Sequence, residues 1–178
     1  MKQEYDDWLC KEFPKLYKDR YASMQTTCMC WGFAIGDGWF PLIKGLSYAI
    51  QNHIDYREKE IVEAKEWNAM VARGEKPAWW RDVADPKKKK IPKAVRQVVV
   101  SQVKEKFGTL RFYVGGGDET TDAYITLAET ISAFTCEDCG APAESQCGMG
   151  WIRVQCTQCH DGFLAARKDQ LKEYEDEK

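Results

Sequence analysis

The chain has 178 residues, of which 44% are hydrophobic and 30% charged, and its formal net charge at pH 7 is −2. This composition argues against a disordered chain, and no apolar run approaches the roughly eighteen residues that a membrane-spanning helix needs. The length favours one domain, or one domain with a small appendage. The N-terminal residues are rich in Asp, Glu and Lys, unlike a signal peptide, so we expect a cytoplasmic protein.

The charge is distributed unevenly along the chain. Residues 86–111 contain nine Lys or Arg and one acidic residue, whereas residues 136–160 contain three acidic residues and one Arg. A basic stretch of this kind is either a solvated surface or a contact for phosphate groups. Any nucleic-acid contact is therefore expected in the basic stretch rather than in the C-terminal region.

The first predicted elements are helical. Residues 4–20 carry apolar side chains at helical spacing, and Pro14 interrupts the pattern, so we expect two short helices or one kinked helix. Residues 28–33 then predict a short strand or extended segment. In the turn that follows, Asp37 lies between two glycines and is interpreted as a cap for the next helix. The alternative for Asp37 is a catalytic or ligand-binding residue in the turn.

The longest helical pattern runs from Trp39 to about Arg73. It becomes entirely polar around residues 56–60, which leaves open one long helix or two helices with a bend near residue 57. His53 lies beside the apolar stripe, and we interpret it as an ordinary partly buried histidine rather than a ligand or general base.

Residues 74–93 combine Gly, Pro and charge clusters, which predicts a basic connector. The pair Trp79-Trp80 is unusual in a loop, and we expect it to pack against the rest of the protein. The connector also contains a run of four lysines, which are either solvated or a phosphate-contacting patch. With the two Trp residues they form part of a candidate binding surface: Lys87, Lys88, Lys89 and Lys90.

The clearest strand signal lies in the next segment. A run of β-branched residues, a break at Phe107-Gly108 and a second alternating run predict an antiparallel hairpin over about 97–114. Alternation places polar and aromatic side chains on one face of each strand. If the two faces coincide, the hairpin offers cations for phosphates and a ring for bases; the alternative is the solvated side of an ordinary sheet. The members of this candidate surface are Lys104, Lys106, Arg111 and Tyr113.

Asp118 to Thr121 supply caps for a helix that leads to the strongest motif in the sequence. This motif is a pair of Cys-x-x-Cys knuckles, with the first knuckle formed by Cys136 and Cys139 and the second knuckle by Cys156 and Cys159. Sixteen residues separate the knuckles, within the spacing of about 15–20 that is typical of tetrahedral zinc sites. Four thiolates leave no open coordination position, so we predict a structural Zn²⁺ ion. Two further residues are possible substitute ligands, although each breaks the paired spacing: Cys147 and His160.

A strand-like segment between the knuckles and a helical pattern after the second knuckle predict a treble-clef-like module, with a ribbon-like module as the alternative. The complete prediction is an α+β fold. A small antiparallel sheet packs with helices over residues 1–134, and a zinc module with a C-terminal helix occupies residues 135–178.

The sequence supports three classes of function to different degrees. An HNH-type nuclease needs several His or Asn around its metal, and this chain has two His. A zinc deaminase needs an open site with His-x-Glu and Pro-Cys-x-x-Cys, and neither knuckle follows a Pro. Enzyme is therefore the least supported class, and no catalytic residue is predicted. Nucleic-acid binding through residues 86–111 is supported by charge, and binding of a protein or small ligand is consistent with seven Trp residues.

Three segments together resemble small proteins encoded by tailed bacteriophages and prophages: the Gly36-Asp37-Gly38-Trp39 turn, the stretch from Val103 to Tyr113, and the two knuckles. The resemblance covers roughly residues 30–160, and Thr109 stands where that group has a second glycine. It implies a phage protein that acts in the bacterial cytoplasm. Such proteins often engage a host protein or a defence component, which makes protein binding the leading expectation and nucleic-acid binding the alternative. The resemblance carries over no catalytic residue.

Overall fold

The computed structural model describes residues 1–77, 86–148 and 150–176. Within them the fold is α+β, with a small mixed sheet, a two-stranded sheet and four α-helices. The helices are α1 (Gln3–Glu12), α2 (Phe40–Ala72), α3 (Glu119–Ser132) and α4 (Thr157–Asp176). The strands are β1 (Phe33–Ala34), β2 (Arg96–Lys106), β3 (Thr109–Gly117), β4 (Glu144–Gly148) and β5 (Trp151–Gln155).

The hairpin predicted over about 97–114 is confirmed as β2 and β3, which pair in antiparallel fashion. The prediction of a purely antiparallel sheet is wrong, because β1 pairs with β2 in parallel, with Phe33 opposite Val103. The strand order is β1-β2-β3. A strand of two residues is too short to show an alternating pattern, so the sequence does not predict that β1 belongs to this sheet.

The outer edge of β3 is covered by α3. The backbone N–H of Leu110 donates to the Ser132 hydroxyl at 2.9 Å, and the N–H of Phe112 donates to the Glu129 carboxylate at 3.0 Å. These side chains satisfy donors that an exposed edge strand would offer to other chains. Asp118 begins α3 as its N-cap and accepts a hydrogen bond from the Thr121 N–H, as predicted.

The core lies between the inner face of the sheet and the helices. It contains Leu110 and Phe112 of β3, apolar residues of α2 and residues of the N-terminal segment, and its largest fully buried side chain is Trp39. Of the two alternatives, one long helix or two helices with a bend near residue 57, the first is correct: α2 is one continuous helix of 33 residues. Its polar middle is solvent-facing on one side, while Ile54 and Ala64 continue the buried stripe.

Three predictions in the N-terminal part are wrong. After α1 ends before Pro14, residues 14–20 form turns instead of a second helix. Residues Cys28–Trp31 form a short 3-10 helix rather than an extended segment, because the Thr27 side chain caps it through the N–H of Met29. Asp37 does not cap α2; its carboxylate accepts a hydrogen bond from the backbone N–H of Lys2 at 2.7 Å.

Candidate metal centre

The four predicted cysteines converge at one place. One Sγ atom from each of Cys136, Cys139, Cys156 and Cys159 lies within 4.8 Å of all the others. The Sγ atoms of Cys139 and Cys156, from different knuckles, are 3.7 Å apart. Tetrahedral zinc with Zn–S bonds of about 2.3 Å holds its sulfurs about 3.8 Å apart. The cluster is therefore compatible with a metal ion bound by four sulfurs.

Backbone hydrogen bonds shape the first knuckle. The Gly140 N–H donates to the Cys136 carbonyl at 2.8 Å, and the Cys136 N–H donates to the Ala141 carbonyl at 2.8 Å. Gly140 has a φ of +79°, which closes this turn in a conformation that suits glycine. The knuckle is then paired with β5 through the Glu137 N–H, which donates to the Val154 carbonyl at 3.0 Å.

The second knuckle lies where β5 passes into α4. Cys156 directly precedes α4 and Cys159 is in its first turn, and the His160 N–H donates to the Cys156 carbonyl at 3.0 Å. The order of elements is thus knuckle, the β4–β5 hairpin, knuckle and helix. The two sequence-distant cysteine pairs meet because β4 and β5 return the chain to its starting point.

The electrostatics of the cluster suit a cation. Burial opposes ionisation of the Cys136 thiol, but the backbone N–H groups of Cys156, Cys139 and Asp138 outweigh it and lower its pKa to about 7. Burial and the neighbouring sulfurs raise the pKa of Cys159 above its ordinary value. Four sulfurs this close cannot all ionise without a positive charge between them, whereas a divalent metal deprotonates its thiols.

The two substitute ligands do not join the cluster. Cys147 is exposed and does not belong to the group of four. His160 directs its Nδ1 atom to the side-chain oxygen of Gln155 at 3.3 Å. Among the described residues, the grouping of metal-ligating side chains consists of the four knuckle cysteines.

The first knuckle is docked on the body of the protein by the turn Gly36-Asp37-Gly38. The Gly38 N–H donates to the Glu137 carbonyl at 2.8 Å, and the Gly36 N–H donates to the Glu137 carboxylate at 2.9 Å. The contact is too close for a side chain, since a Cβ at Gly38 would lie 2.3 Å from the Cys136 carbonyl oxygen. Next to it, the Trp39 indole N–H donates to the Thr135 carbonyl at 2.8 Å.

Glu137 is the residue that sequence reasoning missed. Its side chain is 8% exposed, and burial raises its pKa above the ordinary value, although the nearby Arg153 guanidinium acts in the opposite direction. The Glu137 and Arg153 side chains are 3.5 Å apart, and Arg153 also approaches Asp138 at 3.2 Å. The sequence signal that could have indicated docking is the presence of glycines on both sides of Asp37.

The polar side chains of the two hairpin strands lie on one face, as the alternating pattern predicts. Lys104 pairs with Arg111 across the strands and Gln102 pairs with Tyr113, so the polar sets of β2 and β3 share one side of the sheet. The Lys104 ammonium lies 5.5 Å from the centre of the Tyr113 ring. Ligand binding by this face remains a prediction.

The run Lys87 to Lys90 lies elsewhere, against the C-terminal part of α2. The Trp67 indole donates to the Lys87 carbonyl at 2.9 Å, and Asn68 exchanges two hydrogen bonds with the backbone of Lys89. The side chains of the four lysines are exposed. The run therefore contacts a different element from the hairpin cations. The other members of this predicted surface, Trp79 and Trp80, lie outside the described residues.

The two remaining candidates have structural partners. Asp37 forms an ion pair with Lys2 at 3.4 Å in addition to its hydrogen bond with that residue. His53 is 11% exposed at its side chain, and its Nε2 lies 3.0 Å from the Asp118 carboxylate. His53 is thus a partly buried histidine, as interpreted from the sequence, and its partner is the cap of α3.

Comparison of the chain with models of protein families, with curated proteins and with solved structures finds no match. Among the described residues, no helix combines the length and the apolar character that crossing a membrane requires.

Proposed function

We propose that the chain is a non-catalytic binding protein whose four knuckle cysteines hold a structural Zn²⁺ ion in a treble-clef-like module. The observation that carries the proposal is the mutual approach of four Sγ atoms within 4.8 Å. A set of four sulfurs fills a tetrahedral coordination sphere and leaves no position for a substrate or an activated water. The ion would therefore stabilise the fold and would not take part in a reaction.

The ion's role in the fold follows from what surrounds the knuckles. The β4–β5 hairpin has five residues in each strand, and among those whose burial the structure describes the buried apolar residue is Val154, which is 1% exposed. Structural zinc contributes on the order of 10–16 kcal/mol, which equals or exceeds the net stability of a typical domain, about 5–15 kcal/mol. Zinc would hold residues 135–160 together and, through Glu137, brace the Gly36–Gly38 turn.

The proposed setting is the bacterial cytoplasm and the proposed partner is a host protein or defence component, both taken from the resemblance to phage proteins. A second candidate partner is nucleic acid. It is favoured by the clustering of Lys104, Arg111 and Tyr113 on one side of the β2–β3 sheet.

Metal analysis of the purified protein tests the zinc proposal. We expect about one zinc per chain, and we expect the ion to be lost when Cys136→Ser or Cys156→Ser removes a ligand. Cys147→Ser is the matched control, because this exposed cysteine lies outside the cluster and its loss should leave the zinc content unchanged. Absence of zinc from protein prepared in zinc-supplied medium without chelator would refute the proposal.

Affinity purification from bacteria that express the tagged chain tests the partner. The lysate is divided, and one half is treated with nuclease before capture. A host protein retained after nuclease treatment supports protein binding, whereas recovery that depends on intact nucleic acid supports the second candidate.

A further inference from the structure

One side of the β2–β3 hairpin carries cations without carboxylates. We call this surface the open face and define it by the side chains of Gln102, Lys104, Lys106, Thr109, Arg111 and Tyr113, which the register places on the same side. The strands contain one acidic residue, Glu105, and it lies on the other side opposite Leu110. Its carboxylate accepts a hydrogen bond from the Gly108 N–H. The positive charge of the open face is therefore not neutralised within the hairpin.

Aromatic rings accompany these cations. Tyr113 is 43% exposed in the middle of the open face, and Phe107 at the hairpin tip is 72% exposed. The Lys104 ammonium lies 5.5 Å from the centre of the Tyr113 ring, and the Lys106 ammonium lies at the same distance from the Phe107 ring. A base stacked on either ring would thus bring its phosphate within reach of a lysine.

The tip holds Phe107 in an unfavourable backbone conformation. Its φ is +55°, and that of Gly108 is +81°, as in two-residue hairpin turns with positive φ at both central positions. Asn or Asp normally occupies the first of these positions, and a bulky residue there is a rare outlier. Strain of this kind is concentrated at functional sites, and here it presents an exposed ring beside a lysine.

A cleft with a mixed polar and apolar lining, largely open to solvent, borders the open face at Tyr113. It has a volume of about 470 Å³ and is lined by Thr26, Thr27, Ser101 and Gln102 among others. This volume lies in the range of small-ligand sites, about 300–1,000 Å³. The hydroxyls of Thr26, Thr27 and Ser101 already donate to backbone carbonyls and can only accept from the edge of a base that stacks on Tyr113. The side-chain amide of Gln102 can both donate and accept.

We propose that the open face binds single-stranded nucleic acid, with phosphates on Lys104, Lys106 and Arg111 and bases stacked on Tyr113 and Phe107. The inference rests on the second candidate of the proposed function, nucleic-acid binding, and specifies the kind of strand and the surface that holds it. A single strand is favoured over a duplex because stacking on protein rings needs unpaired bases, and a sheet with exposed rings and cations provides that platform. Charge complementarity is the basis for choosing nucleic acid over an apolar protein segment.

At the start of β2, Arg96 pairs with Gly117, and the adjoining cleft is lined by Asp118 and Glu119 together with Arg57, Lys93 and Arg96. Carboxylates and cations are mixed there, whereas the tip and the middle of the hairpin carry Lys104, Lys106 and Arg111 with no carboxylate of the hairpin on the same side. We therefore expect the bound strand to lie on the tip and the middle of the hairpin, in a site of a few nucleotides.

The test is fluorescence anisotropy of a labelled oligothymidylate of about 16 nucleotides, titrated with the zinc-loaded full chain at several salt concentrations. We expect binding that weakens as salt rises, with a slope near −0.7 for each phosphate contact. The double variant Lys104→Gln with Lys106→Gln should weaken binding about 10- to 30-fold near 0.1 M salt and reduce the magnitude of the slope by about 1.4. Its charge-matched control is Lys59→Gln with Lys65→Gln on the exposed side of α2, which should bind like the wild type.

A second pair of variants tests stacking. Tyr113→Leu should weaken binding about 5- to 150-fold, whereas Tyr113→Phe keeps the ring and should stay close to the wild type. Zinc content is measured on every variant, so that failure of this proposal is separate from failure of the zinc-module proposal. The inference is overturned if the wild type does not bind the oligonucleotide at low salt. It is also overturned if neither the double lysine variant nor Tyr113→Leu weakens binding. Equal affinity for a duplex of the same sequence overturns it as well. Retention of a host protein through Tyr113 and Lys104, with no oligonucleotide binding, also overturns it in favour of a protein partner.

Discussion

The backbone N–H of Gly38 donates a 2.8 Å hydrogen bond to the carbonyl oxygen of Glu137. This bond joins the turn before α2 to the middle of the first knuckle, so the cluster of four cysteines is attached directly to the element that forms one side of the core. The approach is backbone to backbone, since a Cβ on Gly38 would lie 2.3 Å from both the Cys136 oxygen and the Gly140 nitrogen. Two substitutions of glycine by alanine should therefore have opposite effects.

Gly38→Ala should destabilise the protein by about 1–3 kcal/mol or more, because the added methyl group forces two backbones apart. Gly45→Ala should instead stabilise it by up to about 1 kcal/mol, since Gly45 lies inside α2 and a Cβ there meets nothing within 4 Å. Urea unfolding of the zinc-loaded variants measures both changes. Equal stability of the two variants would contradict the docking role of Gly38.

Replacing Phe107 by Asn should raise the stability of the protein and weaken its binding of an oligonucleotide. Asn tolerates positive φ, and the largely exposed Phe107 ring has few contacts to lose, so we expect a gain of about 0.5–1 kcal/mol in the free energy of unfolding. The same substitution removes a stacking ring and should weaken oligonucleotide binding. Thermal unfolding and anisotropy of the same preparation give the two readouts. A loss of stability would show that the Phe107 ring is held by favourable contacts rather than against backbone strain.

The features that the sequence predicted are those encoded by neighbouring residues. The knuckles follow from the spacing Cys136-x-x-Cys139 and Cys156-x-x-Cys159, which is typical of sites that hold four sulfurs around a cation. The β2–β3 hairpin follows from an alternating β-branched pattern with a glycine at the turn. The cap of α3 follows from an Asp placed before a helical pattern.

The features that it did not predict depend on contacts between distant segments. The parallel pairing of Phe33 with Val103 and the bond of Gly38 with Glu137 each join residues that no local pattern relates. The segment after Pro14 has helical spacing of its apolar residues, yet it forms turns. The Val100 N–H of β2 donates to the Leu16 carbonyl at 2.8 Å, which uses that carbonyl in a tertiary contact instead of a helical bond.

Removal of one partner of the buried ion pair between Asp6 and Arg20 should strongly destabilise the protein. The two side chains are 7% and 12% exposed and form three hydrogen bonds of 2.8–3.0 Å, and Arg20 also donates to the Cys30 carbonyl at 3.1 Å. Asp6→Asn leaves the guanidinium without its counter-charge, and we expect a loss of about 3–5 kcal/mol. Glu63→Gln, which disrupts the exposed pair with Lys59, is the control and should cost about 0.5 kcal/mol or less. Denaturant unfolding that gives similar losses for both variants would contradict this difference.

The contact between Asp118 and His53 should make stability depend on pH. Burial disfavours the charged carboxylate, but hydrogen bonds from His53 and from the Thr121 N–H outweigh it and lower the pKa of Asp118 below its ordinary value. A group whose pKa is lower in the folded state stabilises the protein above its unfolded pKa of about 3.9, and this contribution disappears as the pH falls through the folded value. The cleft beside Asp118 is also lined by the Glu119 carboxylate and by three cations, Arg57, Lys93 and Arg96.

Two variants distinguish the charge of Asp118 from its role as a cap. Asp118→Asn keeps an N-cap and removes the charge, and since the side chain is 35% exposed we expect a loss of about 0.5–1 kcal/mol at pH 7. Asp118→Ala removes both and should cost about 1–2 kcal/mol. Urea unfolding at pH 7 and near pH 2.5 is compared between each variant and the wild type, so that loss of zinc in acid affects both members of a pair. The difference between wild type and Asp118→Asn should shrink in acid; a difference that stays constant with pH would show that the carboxylate acts only through the geometry of its cap.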